Sequence, residues 1–128
     1  MTRRARPEDI IQKTVFQHIA LRGVPGLVAF HVPQGNKLGG KRSAKGVAIQ
    51  GSINKGLGVK PGVSDIIALH DGKFYALELK TAGNVPTDEQ IAFIEKVKAA
   101  GGHAGWVEGL DRALYVLENW GLLKGRTS

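Results

Sequence analysis

Residues 63 to 80 read VSDIIALHDGKFYALELK, and the way this stretch folds decides most of what the chain can be. Asp71-Gly72 is a hairpin signal, because a two-residue type I′ turn needs positive φ at both central positions. With that loop in place His70 faces Lys73, and counting outward pair by pair puts Asp65 directly opposite Glu78. Lys80, two residues beyond Glu78, projects from the same face. Facing side chains have Cβ atoms about 5 Å apart, and at an effective dielectric near 20 two negative charges at that spacing repel by roughly 3 kcal/mol. A divalent cation would neutralise the pair, because facing carboxylates make a hard oxygen site suited to Mg²⁺ or Mn²⁺. Such an ion can hold a phosphate oxygen, activate a water and stabilise the charge of a phosphoryl transition state. Lys80 beside it can orient a nucleophile or lower its pKa. The plainer alternative leaves Asp65 and Glu78 exposed at strand ends, each paired with its own lysine.

Working outward, both faces of the hairpin are largely apolar, with Val63, Ile67, Leu69, Phe74 and Ala76 on one and Ile66, Ala68, Tyr75, Leu77 and Leu79 on the other. A sheet apolar on both faces is normally covered by helices on both sides. Pro7 stands at a first-turn position, and Ile10, Ile11, Val15, Phe16, Ile19 and Ala20 recur at helical spacing, which predicts a helix over 7–22 ended by Gly23. GLVAFHV (26–32) predicts the first strand. A short helix is expected near 43–55, weakened by Gly46 and Gly51. PTDEQIAFIEKVKAAGG predicts a helix opened by a Thr87–Gln90 capping box and stopped by Gly101-Gly102. HAGWVEG then predicts a strand and LDRALYVLENWGLL a last helix capped by Asp111, with Trp106 and Trp120 in the core. The order α-β-β-β-α-β-α describes an α/β fold, a mixed central sheet flanked by helices. We expect one domain over 1–128.

The chain is 128 residues long with a net charge of +7 and no cysteine, so disulfides and thiolate metal sites are excluded. No apolar run has the length of a membrane span and the N-terminal MTRRARPED lacks a signal-peptide core, so a cytoplasmic location is expected and no membrane partner. Between Asp9 and Asp65 there is no acidic residue, while Lys13, Arg22, Lys37, Lys41, Arg42, Lys45, Lys55 and Lys60 all fall there. A solvated surface is one reading of that segment; a polyanion partner, nucleic acid first, is the better one.

These residues reach a family. Asp65 followed by Glu78-Leu79-Lys80 resembles the D…(D/E)-x-K signature of the PD-(D/E)XK nucleases. The chain is similar in particular to their VRR-NUC branch, typified by small phage and bacterial proteins. That branch tends to read E-x-x-I-Q in its first helix, G-V-(P/S)-D at a strand entrance and E-(L/V)-K in the next strand. A glycine loop and a helix carrying glutamine follow. This chain has Glu8-Asp9-Ile10-Ile11-Gln12, Gly62-Val63-Ser64-Asp65, Glu78-Leu79-Lys80, Gly83 and Gln90 in that order, and AAGGHAGWVEGLDRA resembles the closing strand and helix.

The resemblance implies a restriction-endonuclease-like core and a Mg²⁺- or Mn²⁺-dependent nuclease. Asp65 and Glu78 would be the principal metal ligands, with the Leu79 carbonyl as a third, and Lys80 the catalytic lysine. Glu8 would reach the site from the first helix as a ligand or water-mediated base, and Gln90 would stand at the rim with a catalytic role. Both also have plain local roles, Glu8 in a helix's first turn and Gln90 in the capping box. Ser64 replaces the proline that names the PD signature; that position shapes the strand entrance and carries no chemistry. Small members of the branch resemble structure-specific endonucleases acting on branched DNA, often as homodimers, which implies the same partners here, in a bacterial or phage-infected cell.

Other motifs carry less. GNKLGGKR (35–42) nearly spells a phosphate-binding G-x-x-x-x-G-K-[ST] loop, but Arg42 replaces the hydroxyl residue that would hold Mg²⁺. Its glycines and Lys37, Lys41, Arg42 and Lys45, with Lys55 and Lys60 beyond, make better sense as contacts to DNA phosphates. His18, His31, His70 and His103 show no metal-ligand spacing; for His31, near the end of the first strand, facing the cleft is one reading and a structural role is the expected one. Two function classes remain, a metal-dependent DNA endonuclease and a nucleic-acid-binding module on the same fold that does not cut. The intact Asp65, Glu78 and Lys80 favour the enzyme.

Overall fold

The Asp71-Gly72 turn forms as its residues require, with φ of 52° and 77°. It joins β2 (Ile66–His70) to β3 (Lys73–Lys80) antiparallel, in a register running from His70↔Lys73 to Ile66↔Leu77. This is the expected register, and one further step places Asp65 opposite Glu78. The computed structural model describes residues 6–33 and 56–125. The short helix expected near 43–55 lies outside them, as do Lys37, Lys41, Arg42, Lys45 and Lys55.

Two more strands complete a four-stranded mixed sheet in the order β1-β2-β3-β4. β1 (Val28–Phe30), shorter than the run that predicted it, pairs antiparallel with β2; β4 (His103–Glu108) pairs parallel with β3. A parallel pair needs a crossover, and the helix α2 (Asp88–Ala99) supplies it. Thr87 caps α2 as predicted, its side chain accepting from the Gln90 N–H while the Gln90 side chain accepts from the Thr87 N–H.

The sheet is covered on both sides. On one face Ile66, Ala68, Tyr75, Leu77 and Leu79 pack with Val15 of α1 (Pro7–Arg22) and with Ala113, Leu114 and Leu117 of α3 (Leu110–Asn119). Ile67 and Ala76 are buried on the opposite face, where α2 lies with its own Ile94 buried. Burying a Leu or Ile side chain stabilises by about 1.5–3 kcal/mol, so this double-sided core holds the hairpin rigid. Arg22 ties the two helices of the first face together. Its Nη1 pairs with Glu118 Oε2 at 2.6 Å and donates to the Lys124 carbonyl, and its Nε donates to His18 Nδ1 at 3.2 Å.

Two expectations are corrected. Asp111 does not cap α3: the helix starts one residue earlier, at Leu110, with Gly109 at the cap and no side-chain capping bond. The Gly109 N–H donates to the Lys80 carbonyl at 2.9 Å, and its φ of 82° turns the chain from β4 straight into the helix. Asp111 instead stands in the first turn, where its charge complements the helix dipole. Trp120 packs against the main core as expected, but Trp106 does not; it lies half-buried in β4 as the register partner of Glu78. Among the described residues no helix is long and apolar enough to cross a membrane.

Candidate metal centre

The C-terminal end of β3 carries Glu78 and Lys80, both buried, with 2% and 8% of their surface exposed. Burial of two charged groups on one strand is unusual and has to be matched by partners. Asp65, just before β2, extends its side chain across the hairpin so that Oδ2 accepts from the Leu79 N–H at 2.8 Å. Glu8, in the first turn of α1, comes to the same place. Ligand-capable oxygens of Glu8, Asp65 and Glu78 all lie within 4.8 Å of one another. Lys80 Nζ sits 3.6 Å from Glu78 Oε2 and 3.9 Å from Glu8 Oε1.

Gln90 completes the group from α2. Its Nε2 donates to Glu78 Oε2 at 3.2 Å, while its own Oε1 is held by the Thr87 N–H at 2.9 Å. The two roles open in the sequence are one arrangement: the capping box fixes the amide so that its NH₂ end faces the carboxylate.

The electrostatics follow from this crowding. Burial, then the charge of Asp65 and a hydrogen bond shared with it, raise the Glu78 carboxyl from 4.5 to about 9, Glu8 adding to the rise and Lys80 opposing it. When ionised, Glu78 leaves Oε1 buried with no hydrogen-bond donor. When protonated, it carries the O–H that Asp65 can accept. In both forms the site lacks positive charge, since one ammonium faces three carboxyl groups. Three hard oxygen donors converging on an orphaned buried oxygen fit a divalent cation such as Mg²⁺ or Mn²⁺.

Glu8, Asp65, Glu78, Lys80 and Gln90 are therefore brought together as the sequence expects. Leu79 contributes its N–H to Asp65; its side chain is buried in the core. Of the six basic residues expected to contact DNA phosphates, Lys60 lies among the described ones, and it is exposed. Three further neighbours were not assigned to the site from the sequence. His31, just past β1, has Nδ1 at 2.7 Å from the Asp65 carbonyl oxygen. Trp106 and Glu108 are the β4 partners of Glu78 and Lys80, a pairing that only the parallel register fixes. Ser64 is fully buried with its hydroxyl unpartnered, and nothing in the structure explains why a hydroxyl stands there.

No protein-family model matches the chain, and no curated protein matches it in sequence. Among solved structures, a VRR_NUC domain protein superposes with a TM-score of 0.69 over 92% of this chain and 90% of that one, at 19% identity. The fold is thus that of a VRR-NUC domain, the restriction-endonuclease-like α/β architecture that the motifs implied. The acidic cluster of Glu8, Asp65 and Glu78 lies at the end of its central hairpin.

Proposed function

We propose that the chain is a divalent-metal-dependent DNA endonuclease that hydrolyses phosphodiester bonds, with a preference for branched or junction DNA. One observation carries the reading: three carboxylates within 4.8 Å beside a buried lysine, at the end of a hairpin that would otherwise not accumulate them. Asp65, Glu78 and Glu8 would hold Mg²⁺ or Mn²⁺, with the Leu79 carbonyl as a further ligand. When bound, the ion supplies Lewis-acid polarisation of the scissile phosphate and lowers the pKa of a nucleophilic water.

The chain's own residues then divide the remaining work. Lys80 lies 3.6 Å from Glu78, so its ammonium can hold the attacking water and stabilise negative charge growing on the phosphate. Glu8, half-buried and 3.9 Å from the Lys80 ammonium, would serve either as that third ligand or, through a water, as a base. Gln90 donates to Glu78 and so orients it. Substrate attraction is assigned to the basic segment, Lys37, Lys41, Arg42, Lys45, Lys55 and Lys60, whose lysines and arginine would contact phosphates without reading sequence. A homodimer is part of the proposal, because a twofold assembly presents two such sites to the two strands of a branched substrate.

The test is incubation with labelled linear, flapped and four-way DNA, with EDTA or Mn²⁺. Cleavage that needs Mn²⁺ and favours branched forms supports the proposal. DNA binding without cleavage under every metal condition would leave the non-catalytic binding module in its place.

A further inference from the structure

The β1–β2 ladder ends at the pair Phe30↔Ile67, so the backbone of Asp65 lies beyond its last register pair. There the Asp65 carbonyl meets a side chain, His31 Nδ1 at 2.7 Å. A carbonyl oxygen only accepts, so Nδ1 donates the hydrogen of this bond. Asp65 is then held at two points, its carbonyl by His31 on one side and its Oδ2 by the Leu79 N–H at 2.8 Å on the other. His31 is itself exposed, so this ring is not there to fill the core. What it does is pin the one cluster residue that stands outside a regular element. Glu8 is carried by a helix and Glu78 by a strand, whereas Asp65 sits in the bend before β2.

We propose that His31 is a positioning residue for the metal centre, holding the Asp65 backbone so that its carboxylate stays aimed at Glu78 and Glu8. The proposal rests on the metal-centre reading above. It assigns His31 no contact with substrate and no proton transfer.

The experiment measures Mn²⁺ binding calorimetrically on the full chain and on His31→Ala, His31→Asn and His31→Gln, without DNA. Groups that orient metal ligands typically contribute ten- to a hundredfold in metal affinity. His31→Ala should therefore weaken Mn²⁺ binding by roughly tenfold or more, with an unchanged circular dichroism spectrum. Asn places its amide N–H near the position of Nδ1 and should recover most of the loss, whereas Gln, which extends toward the position of Nε2, should not. An Asn variant that restores metal affinity separates positioning from a general effect on folding. If the parent binds Mn²⁺ and His31→Ala binds it equally well, or if Asn and Ala are equally impaired, His31 does not position Asp65. If the parent itself binds no Mn²⁺, the metal-centre reading fails and this proposal with it.

Discussion

Replacing Glu78 by Gln should stabilise the metal-free protein, and by an amount that depends on pH. The Glu78 carboxyl titrates near 4.5 when unfolded and at about 9 in the folded chain, raised by burial and then by Asp65. Below pH 4.5 both states hold the proton and the group is neutral in its effect. Between 4.5 and about 9 the folded state keeps a proton that the unfolded state has released, so stability falls as pH rises through that window. Each pH unit amounts to about 1.4 kcal/mol, so the loss at pH 7 is on the order of 3 kcal/mol. Gln has nearly the same shape, can still accept from Gln90, and has no proton to release. The difference in unfolding free energy, Glu78→Gln minus parent, should therefore be near zero at pH 4 and climb to about 3 kcal/mol at pH 7. Urea denaturation in EDTA at four pH values between 4 and 8.5 measures it. Mn²⁺ at a hundred times its Kd should cancel most of the difference at pH 7, since it stabilises the parent by about 2.7 kcal/mol. A difference that stays flat with pH in EDTA would refute the reasoning, because the buried carboxyl would then not be titrating against Asp65.

Four further outcomes are expected. Asp65→Ala, Glu78→Ala and Lys80→Ala should each abolish cleavage while DNA binding in EDTA, followed by fluorescence anisotropy, changes little. Lys41→Ala/Arg42→Ala should weaken DNA binding and flatten its dependence on log salt by roughly one unit per lost phosphate contact; an unchanged salt titration would make the segment a linker only. Thr87→Ala and Gln90→Ala should both cost about 1 kcal/mol of stability through the lost cap, but only Gln90→Ala should also change Mn²⁺ affinity, because the Thr87 N–H still holds Gln90 in the other variant. Light scattering should give twice the 13.7 kDa chain mass, and a monomer with and without DNA would remove the twofold assembly from the proposal.

The hairpin was legible because one dipeptide fixes its register. Once Asp71-Gly72 takes the turn, side-chain alternation places Asp65 against Glu78 and Lys80 on their face, with no help from the rest of the fold. The α2 start was legible for a similar reason, Thr87 and Gln90 satisfying each other's N–H groups within four residues. What the sequence does not show depends on elements meeting at long range. Trp106 reads as core by composition, and only the parallel pairing of β4 with β3 sets it beside Glu78. His31 is separated from Asp65 by 34 positions, and its bond exists because β1 stops one residue short of it. Asp111 reads as a cap because it is a good capping residue, but the Gly109 hydrogen bond to Lys80 had already started the helix.

The distance between α2 and the bend carrying Asp65 is also set by a residue whose reason is physical. Gly62 has φ of 76°, and a Cβ there would overlap the Glu89 carbonyl and come within 2.8 Å of the Gln90 nitrogen. The first turn of α2 therefore rests directly on the backbone three residues before Asp65. The glycine in Gly62-Val63-Ser64-Asp65 lets the helix approach closely enough for Gln90 to reach Glu78 at 3.2 Å. Three local devices then converge on one cluster. The turn sets Glu78 against Asp65, the capping box fixes which end of the Gln90 amide faces Glu78, and the glycine sets how near that amide comes. That is why the ordered set of motifs carries functional information that a bare Asp…Glu-x-Lys does not.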